Sequence, residues 1–212
     1  MPRKKKIKEP VVITPLQQQI INGYTMGDGF LSPDGSLTVD HGSDQEKFTY
    51  WMLEALRDLC TENRKVSVPT RVRNGITHKS YRFNTRNVLK EYRAIWYPEG
   101  KKRLPKTIET MFTPLFIAVW YACDGTRIQG SLGARFEVTA FTPEERKQLQ
   151  ELFSSRYNIK SVINRGGTSP AGKDLWSLCI NAADYPKFHE LVTRDTDLIE
   201  TLFPQKLHSV KK

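Results

Sequence analysis

The chain has 212 residues, 38% of them apolar and 10% aromatic, and 33 Lys and Arg against 23 Asp and Glu give a net charge of +10. That composition supports a folded core and excludes an intrinsically disordered chain, and no run reaches the roughly 18 apolar residues of a membrane-spanning helix. The charge favours a polyanionic partner, nucleic acid first, while three cysteines without a Cys-x-x-Cys spacing exclude a disulfide framework or zinc site and point to a reducing compartment.

Residues 1–11 form a basic arm, with Arg3, Lys4, Lys5, Lys6 and Lys8 against Glu9. No apolar stretch follows that would make it a secretory signal. It reads either as a solvated tail or as a flexible phosphate clamp. The first half, residues 12–97, opens at Thr14-Pro15-Leu16, with Thr at the N-cap, Pro at the first helical position and Gln17 at capping-box spacing. The predicted helix runs to Asp28-Gly29. A short strand at residues 30–31, a Pro33-Asp34-Gly35 turn and a second strand at residues 36–40 follow. Ser43-x-x-Glu46 reads as a capping box opening a helix through Trp51, Leu53 and Leu56. Strands at residues 66–72 and 79–84 flank an Asn74-Gly75 turn, and a helix at about residues 86–97 closes the half. Two prolines, a glycine and a basic cluster in PEGKKRLPK mark a linker, residues 98–112.

The second half, residues 113–212, repeats this order. Thr113-Pro114-Leu115 starts a helix that runs to Asp124-Gly125, with Asp124 96 residues after Asp28. Strands at residues 126–129 and 134–140 precede a capping box, Thr142-x-x-Glu145 with Pro143, and a helix through Leu149 and Leu152. Strands at residues 160–164 and 175–181 flank a Gly166-Gly167 loop, and a helix at about residues 182–193 ends the pattern. Each half therefore reads α-β-β-α-β-β-α. This excludes a βαβ alternation with a parallel sheet and predicts antiparallel hairpins with helices packed on one face.

Asp34-Gly35 is an ordinary hairpin turn. Asp28 and Asp124 differ, because both end an apolar helix at equivalent places of the repeat. A helix C-terminus carries partial negative charge, so an acid is unfavourable there. Two such acids point to a hard divalent cation; the alternative is that they are only turn residues. Gly23 and Gly27, at i and i+4 on the first helix, let another backbone approach. Ala118 and Cys123 are the small residues of the second. Packing through these faces would bring the two carboxylates together, where each resists ionisation unless a metal neutralises the pair.

INGYTMGDG (Ile21 to Gly29) and IAVWYACDG (Ile117 to Gly125) resemble the two copies of the LAGLIDADG motif. Over residues 12 to about 207 the chain resembles a single-chain, two-motif LAGLIDADG homing endonuclease of the intron-encoded subgroup. TPLFIAVWYACDG followed by FEVTAFTPEE is similar to the subgroup pattern Thr-Pro-x-x-Leu-Ala-x-Trp-x-x-Asp-Asp-Gly. The resemblance implies an α+β fold of two pseudo-symmetric αββαββα halves, each with an antiparallel saddle-shaped sheet over the DNA major groove and helices packed on one face. It implies that Asp28 and Asp124 bind metal, Mg²⁺ or Mn²⁺, with the backbone carbonyls of Gly27 and Cys123 nearby in the coordination shell. It places Lys102 and Lys206 in the two active-site halves, although Pro204 and Lys206 are closer together than in the family. Lys102 also reads as one more solvated charge of a basic linker. Asn22, Val119 and Cys123 depart from the motif, and Val119 is expected to loosen or shift the helix contact.

The implied activity is a double-strand break in DNA with 3′ overhangs at a long, rare site, made by metal-activated water with the two lysines stabilising charge. Base readout in the major groove would come from strand Arg, Lys and Gln. These are Arg71, Arg73, Lys79 and Arg82 in the first half, and Arg127, Gln129, Arg135, Lys160, Arg165 and Lys173 in the second. Tyr81 and Trp176 read as packing or phosphate contacts rather than base-stacking platforms. No metal-type spacing gives a role to His41, His78, His189 or His208. With both active-site halves in one chain, the expectation is a working monomer without membrane attachment, in a bacterial or phage cytoplasm or an organellar matrix or stroma. Two other readings stay open: a non-cleaving binder on the same fold (an intron RNA maturase or a DNA-binding regulator), and a basic scaffold protein of ribosomal kind. An intein is disfavoured, since splicing-type segments do not surround the halves.

Overall fold

The computed structural model describes residues 11–209, so all of the expected basic arm except Val11 lies outside the described residues. In chain order the elements are α1 (Pro15–Met26), β1 (Phe30–Leu31), β2 (Leu37–Gly42), α2 (Glu46–Ala55), β3 (Thr70–Arg73), β4 (Ile76–Asn84) and α3 (Lys90–Trp96). Then come α4 (Ile108–Met111), α5 (Pro114–Asp124), β5 (Gly125–Arg127), β6 (Ala134–Glu137), α6 (Pro143–Tyr157), β7 (Ser161–Thr168), β8 (Asp174–Ile180), α7 (Tyr185–Thr193) and α8 (Leu198–Leu202). Two four-stranded sheets form, in the orders β1-β2-β4-β3 and β5-β6-β8-β7. Every pairing is antiparallel. The fold is thus α+β with two repeated αββαββα halves. The short helices α4 and α8 are additions that sequence periodicity does not reveal, because one turn is too short to show a repeat.

Local chemistry sets most of the boundaries. Thr14 and Gln17 cap α1 reciprocally, at 3.1 and 3.2 Å, and Thr142 and Glu145 do the same for α6 at 2.7 and 3.2 Å. Thr113 Oγ1 accepts the Phe116 N–H at the start of α5. The box expected at Ser43 does not form. The β2 strand runs on to Gly42, residues 43–45 make a 3-10 turn, and no side chain caps α2. The strand expected over residues 66–72 is confined to β3, since Pro69 has no N–H for a ladder. Only a single bridge between Ser67 and Arg82 remains upstream. Asn74 and Gly75 both have positive φ, 52° and 74°, as a tight hairpin requires, so β4 starts directly after them.

Helices α1 and α5 pack against each other at the centre. A Cβ at Gly23 would lie 2.5 Å from the Phe116 carbonyl oxygen and 3.0 Å from Val119 Cβ. A Cβ at Gly27 would lie 2.4 Å from Cys123 Cβ. At these two glycines the contact is with Phe116, Val119 and Cys123 of α5. Val119 lies in the space left by the missing side chain at Gly23. Asn22, the other departure from the motif, is buried and accepts a 2.9 Å hydrogen bond from Trp96 Nε1. Trp96→Phe is expected to leave that buried oxygen without a donor and to lower stability by about 1–3 kcal/mol, read as a shifted urea midpoint with an unchanged slope.

Candidate active site and nucleic-acid face

The close packing of α1 on α5 brings the two helix C-termini, and with them Asp28 and Asp124, to one place. Asp124 Oδ2 is 3.4 Å from where a Cβ on Gly27 would sit. Burial, with the Asp28 charge second, pushes the Asp124 carboxyl up from 3.8 to about 7. Asp28 is more open, with a side chain 39% exposed. Its following residue has no room for a side chain, since a Cβ on Gly29 would lie 2.6 Å from the Tyr24 carbonyl oxygen. Gly125 is under the same constraint, against the Tyr121 ring. That is the physical reason for Asp-Gly at both helix ends.

A lysine reaches each helix end. Lys102 Nζ donates to the Gly27 carbonyl at 2.7 Å. Lys206 Nζ donates to the carbonyls of Tyr121, Ala122 and Cys123 at 3.2, 2.6 and 3.2 Å. Burial lowers the pKa of both ammonium groups, opposed by the nearby carboxylates. Lys206 is held in place from its own backbone, because the Tyr121 hydroxyl donates to the Lys206 carbonyl at 2.8 Å. Nothing in the sequence spacing signalled that latch.

His41 is also at this site, contrary to the expectation that no histidine has a part there. It lies on β2, 6% exposed, with Nδ1 4.0 Å from Asp28 Oδ2 and Nε2 3.0 Å from the Tyr24 hydroxyl. Burial lowers its pKa, against the pull of Asp28, Asp40 and Asp44. The signal was present in the two-residue period of Leu37, Val39 and His41, all buried on one face.

The strand register separates the predicted DNA-reading residues into two faces. In the first half Val39 pairs Phe83, both buried, so their face packs on the helices. Arg71 and Arg82 fall on the opposite, open face, with Asp40, His78 and Ser80; Arg73 pairs Ile76 in the ladder, and its side chain is outside the described residues. Lys79 shares the helix face with Phe83 and Tyr81, and Tyr81 meets Tyr50 of α2 edge-on. In the second half Arg135 is on the open face, between buried Ala134 and Phe136. Arg127 and Arg165 are not: they pair Ala134 and Trp176, which face the helices. Arg165 is tied to Asp174 at 2.6 Å, and Trp176 lies under Arg146. Lys160 precedes β7 beside Asp184, while Gln129 and Lys173 are exposed in the loops after β5 and before β8. A recess of about 230 Å³ opens on this face between Asp124, Arg135, Glu137, Leu175 and Ser177.

Among the described residues no three His, Cys, Asp or Glu side chains cluster as a ready metal cage, and no helix is long and apolar enough to cross a membrane. The LAGLIDADG DNA endonuclease family matches residues 18–188. The chain is 35% identical over 96 residues to the cytochrome b mRNA maturase bI2 of Debaryomyces hansenii, covering 44% of this chain and 36% of that protein. It is 26% identical over 206 residues to the RecA protein of Mycobacterium gastri, covering 88% and 46% respectively. The chain thus spans less than half the length of these curated relatives. Its fold superposes on the homing endonuclease I-WcaI bound to its DNA recognition sequence with a TM-score of 0.82, at 15% identity, over 99% of this chain and 96% of that one.

Proposed function

Because the chain belongs to the LAGLIDADG DNA endonuclease family, we propose that it makes a metal-dependent double-strand break in DNA, with 3′ overhangs, at one long target site. The observation that supports this best is the meeting of two carboxylates from two halves, each helix end carrying its own lysine, at the base of two open sheet faces. Asp28 and Asp124 are the proposed metal ligands. The donor set fits a hard divalent cation: two carboxylate oxygens, one of them held partly protonated near neutral pH by burial and its neighbour. Mg²⁺ or Mn²⁺ held there would supply an activated water and neutralise charge at the scissile phosphate.

The protein's own groups have separable parts. The Gly27 and Cys123 carbonyls anchor the two lysines, so in this structure they serve the ammonium groups; as metal ligands they would have to share their second lone pair. Lys102 makes one hydrogen bond among the described residues and keeps two N–H donors for a phosphate oxygen. Lys206 has its three donors on three carbonyls. Its charge still offsets the carboxylates. Tyr24 fixes the ring of His41 beside Asp28, so this pair orients the carboxylate or a water between them. Both halves lie in one chain, which supports action as a monomer.

A second reading, binding of intron RNA, is favoured by the likeness to the bI2 maturase. One experiment separates the two. The protein selects its preferred duplex from a random DNA library in Ca²⁺, Mg²⁺ is added, and the ends are mapped. Staggered double-strand cuts within one selected site are the expected result. A selected duplex that stays uncut would sink the enzyme reading, and preference for folded intron RNA over every duplex would establish the second.

A further inference from the structure

The open face of the first sheet carries one charged pair that is neutral as a unit. Asp40 of β2 and Arg82 of β4 are direct cross-strand partners. Arg82 Nε donates to Asp40 Oδ2 at 2.9 Å, and Nη2 contacts the same oxygen. The side chains stay 36% and 30% exposed, Arg82 and Asp40 respectively. The carboxylate therefore occupies the Nε–Nη2 edge of the guanidinium. The Nη1–Nη2 edge is left, and among the described residues no acceptor takes Nη1.

We propose that Arg82, aimed by Asp40, reads a single guanine through the major groove, which makes the pair a specificity determinant of the first half-site. The inference rests on the endonuclease reading. Three observations carry it. The free edge presents two parallel N–H donors, the fork that matches guanine O6 and N7. The pair has no net charge, so it is poorly suited to clamp phosphate and well suited to a base edge, where affinity depends on geometry more than on charge. The arrangement is also confined to one half. Asp28-Gly29-Phe30 and Asp124-Gly125-Thr126 correspond, and Phe30 pairs Thr38 as Thr126 pairs Arg135. The counterpart of Asp40 is therefore Glu137, which faces Ser177 and has no arginine opposite. Guanine readout of this kind then belongs to one half-site and contributes to an asymmetric target.

The test uses the full chain and a random duplex library in Ca²⁺, comparing the base preferences of wild type, Arg82→Gln, Arg82→Lys and Asp40→Asn. Circular dichroism melting shows that each variant is folded. Wild type is expected to prefer G at one position roughly ten- to a hundred-fold. Arg82→Gln loses that preference at that position alone, with the other positions and the salt dependence unchanged. Arg82→Lys loses it too, although it keeps the charge, because an ammonium has no fork. Asp40→Asn gives a smaller loss at the same position. An unchanged preference profile in both Arg82 variants would overturn the inference. So would uniform weakening with a salt slope lower by about 1, the mark of a phosphate contact. A wild type that selects no duplex overturns the endonuclease reading itself, and this inference with it.

Discussion

Asp124→Asn is expected to abolish cleavage and at the same time to raise the melting temperature of the metal-free protein. The two effects share one cause. The carboxyl of Asp124 is pushed up to about 7 in the fold, from an ordinary value of 3.8, by burial and by the Asp28 charge. A raised carboxyl binds its proton more tightly folded than unfolded. Its contribution is therefore full below the unfolded value and is lost as pH rises through about 7. Metal-free wild type should lose stability between about pH 4 and pH 7, by a few kcal/mol at most, and little more above that. Asn has no charge to bury, so the variant should melt higher at pH 8, by roughly 5–10 °C for a chain of this size. The difference should fade towards pH 4. Cleavage of a selected duplex should fall by about 10³-fold or more, the scale of several kcal/mol of lost charge stabilisation, while duplex binding persists. Asp28→Asn should cost cleavage as much. Melting curves across pH in a chelator and a cleavage time course check both halves. A variant that melts below wild type at pH 8 would refute the burial argument.

Gly23→Ala should be among the most damaging single-methyl changes in the protein. The added carbon would sit 2.5 Å from the Phe116 carbonyl oxygen. That oxygen belongs to the α5 backbone, so no side-chain rotation relieves the clash. The helices must move apart, at a cost of about 3 kcal/mol or more. The same movement separates the helix ends, so cleavage should fall beyond what the lost stability explains. Urea melts and cleavage at a temperature where the variant is still folded distinguish the two. A variant within about 0.5 kcal/mol of wild type would show that α1 and α5 do not pack as described.

The elements that were legible in the sequence are those whose signal is local. Thr-Pro at α1 and α5, Thr142 with Glu145 at α6 and the Asn74-Gly75 turn each satisfy a nearby backbone group, and each is formed. Ser43 failed because β2 runs up to Gly42 and residues 43–45 turn as a 3-10 helix, which moves the start of α2 to Glu46 and its N-cap to Gln45. The site was half legible. A repeat can point to Asp28 and Asp124, but His41 needs the fold of β2 back onto α1, and the Tyr121 hydroxyl needs the return of residues near the C-terminus. The face of a strand residue was the weakest reading. Arg165 lies just before a register shift at Gly166, so counting alternation from either end gives a different face. Lys79 lies beyond the end of the helix cover, exposed on the packed face, where exposure alone says nothing about DNA.

The helix interface has its own consequence for descent and symmetry. In it α1 supplies the absences, Gly23 and Gly27, and α5 supplies the bulk, Val119 and Cys123. Two copies of α1 would lack the Val119 and Cys123 side chains that lie against Gly23 and Gly27, and two copies of α5 would lack the space those glycines leave. The halves are therefore lock and key, not interchangeable parts of a homodimer. A pair of first halves would lack the face of α5 that fills the space at Gly23 and Gly27.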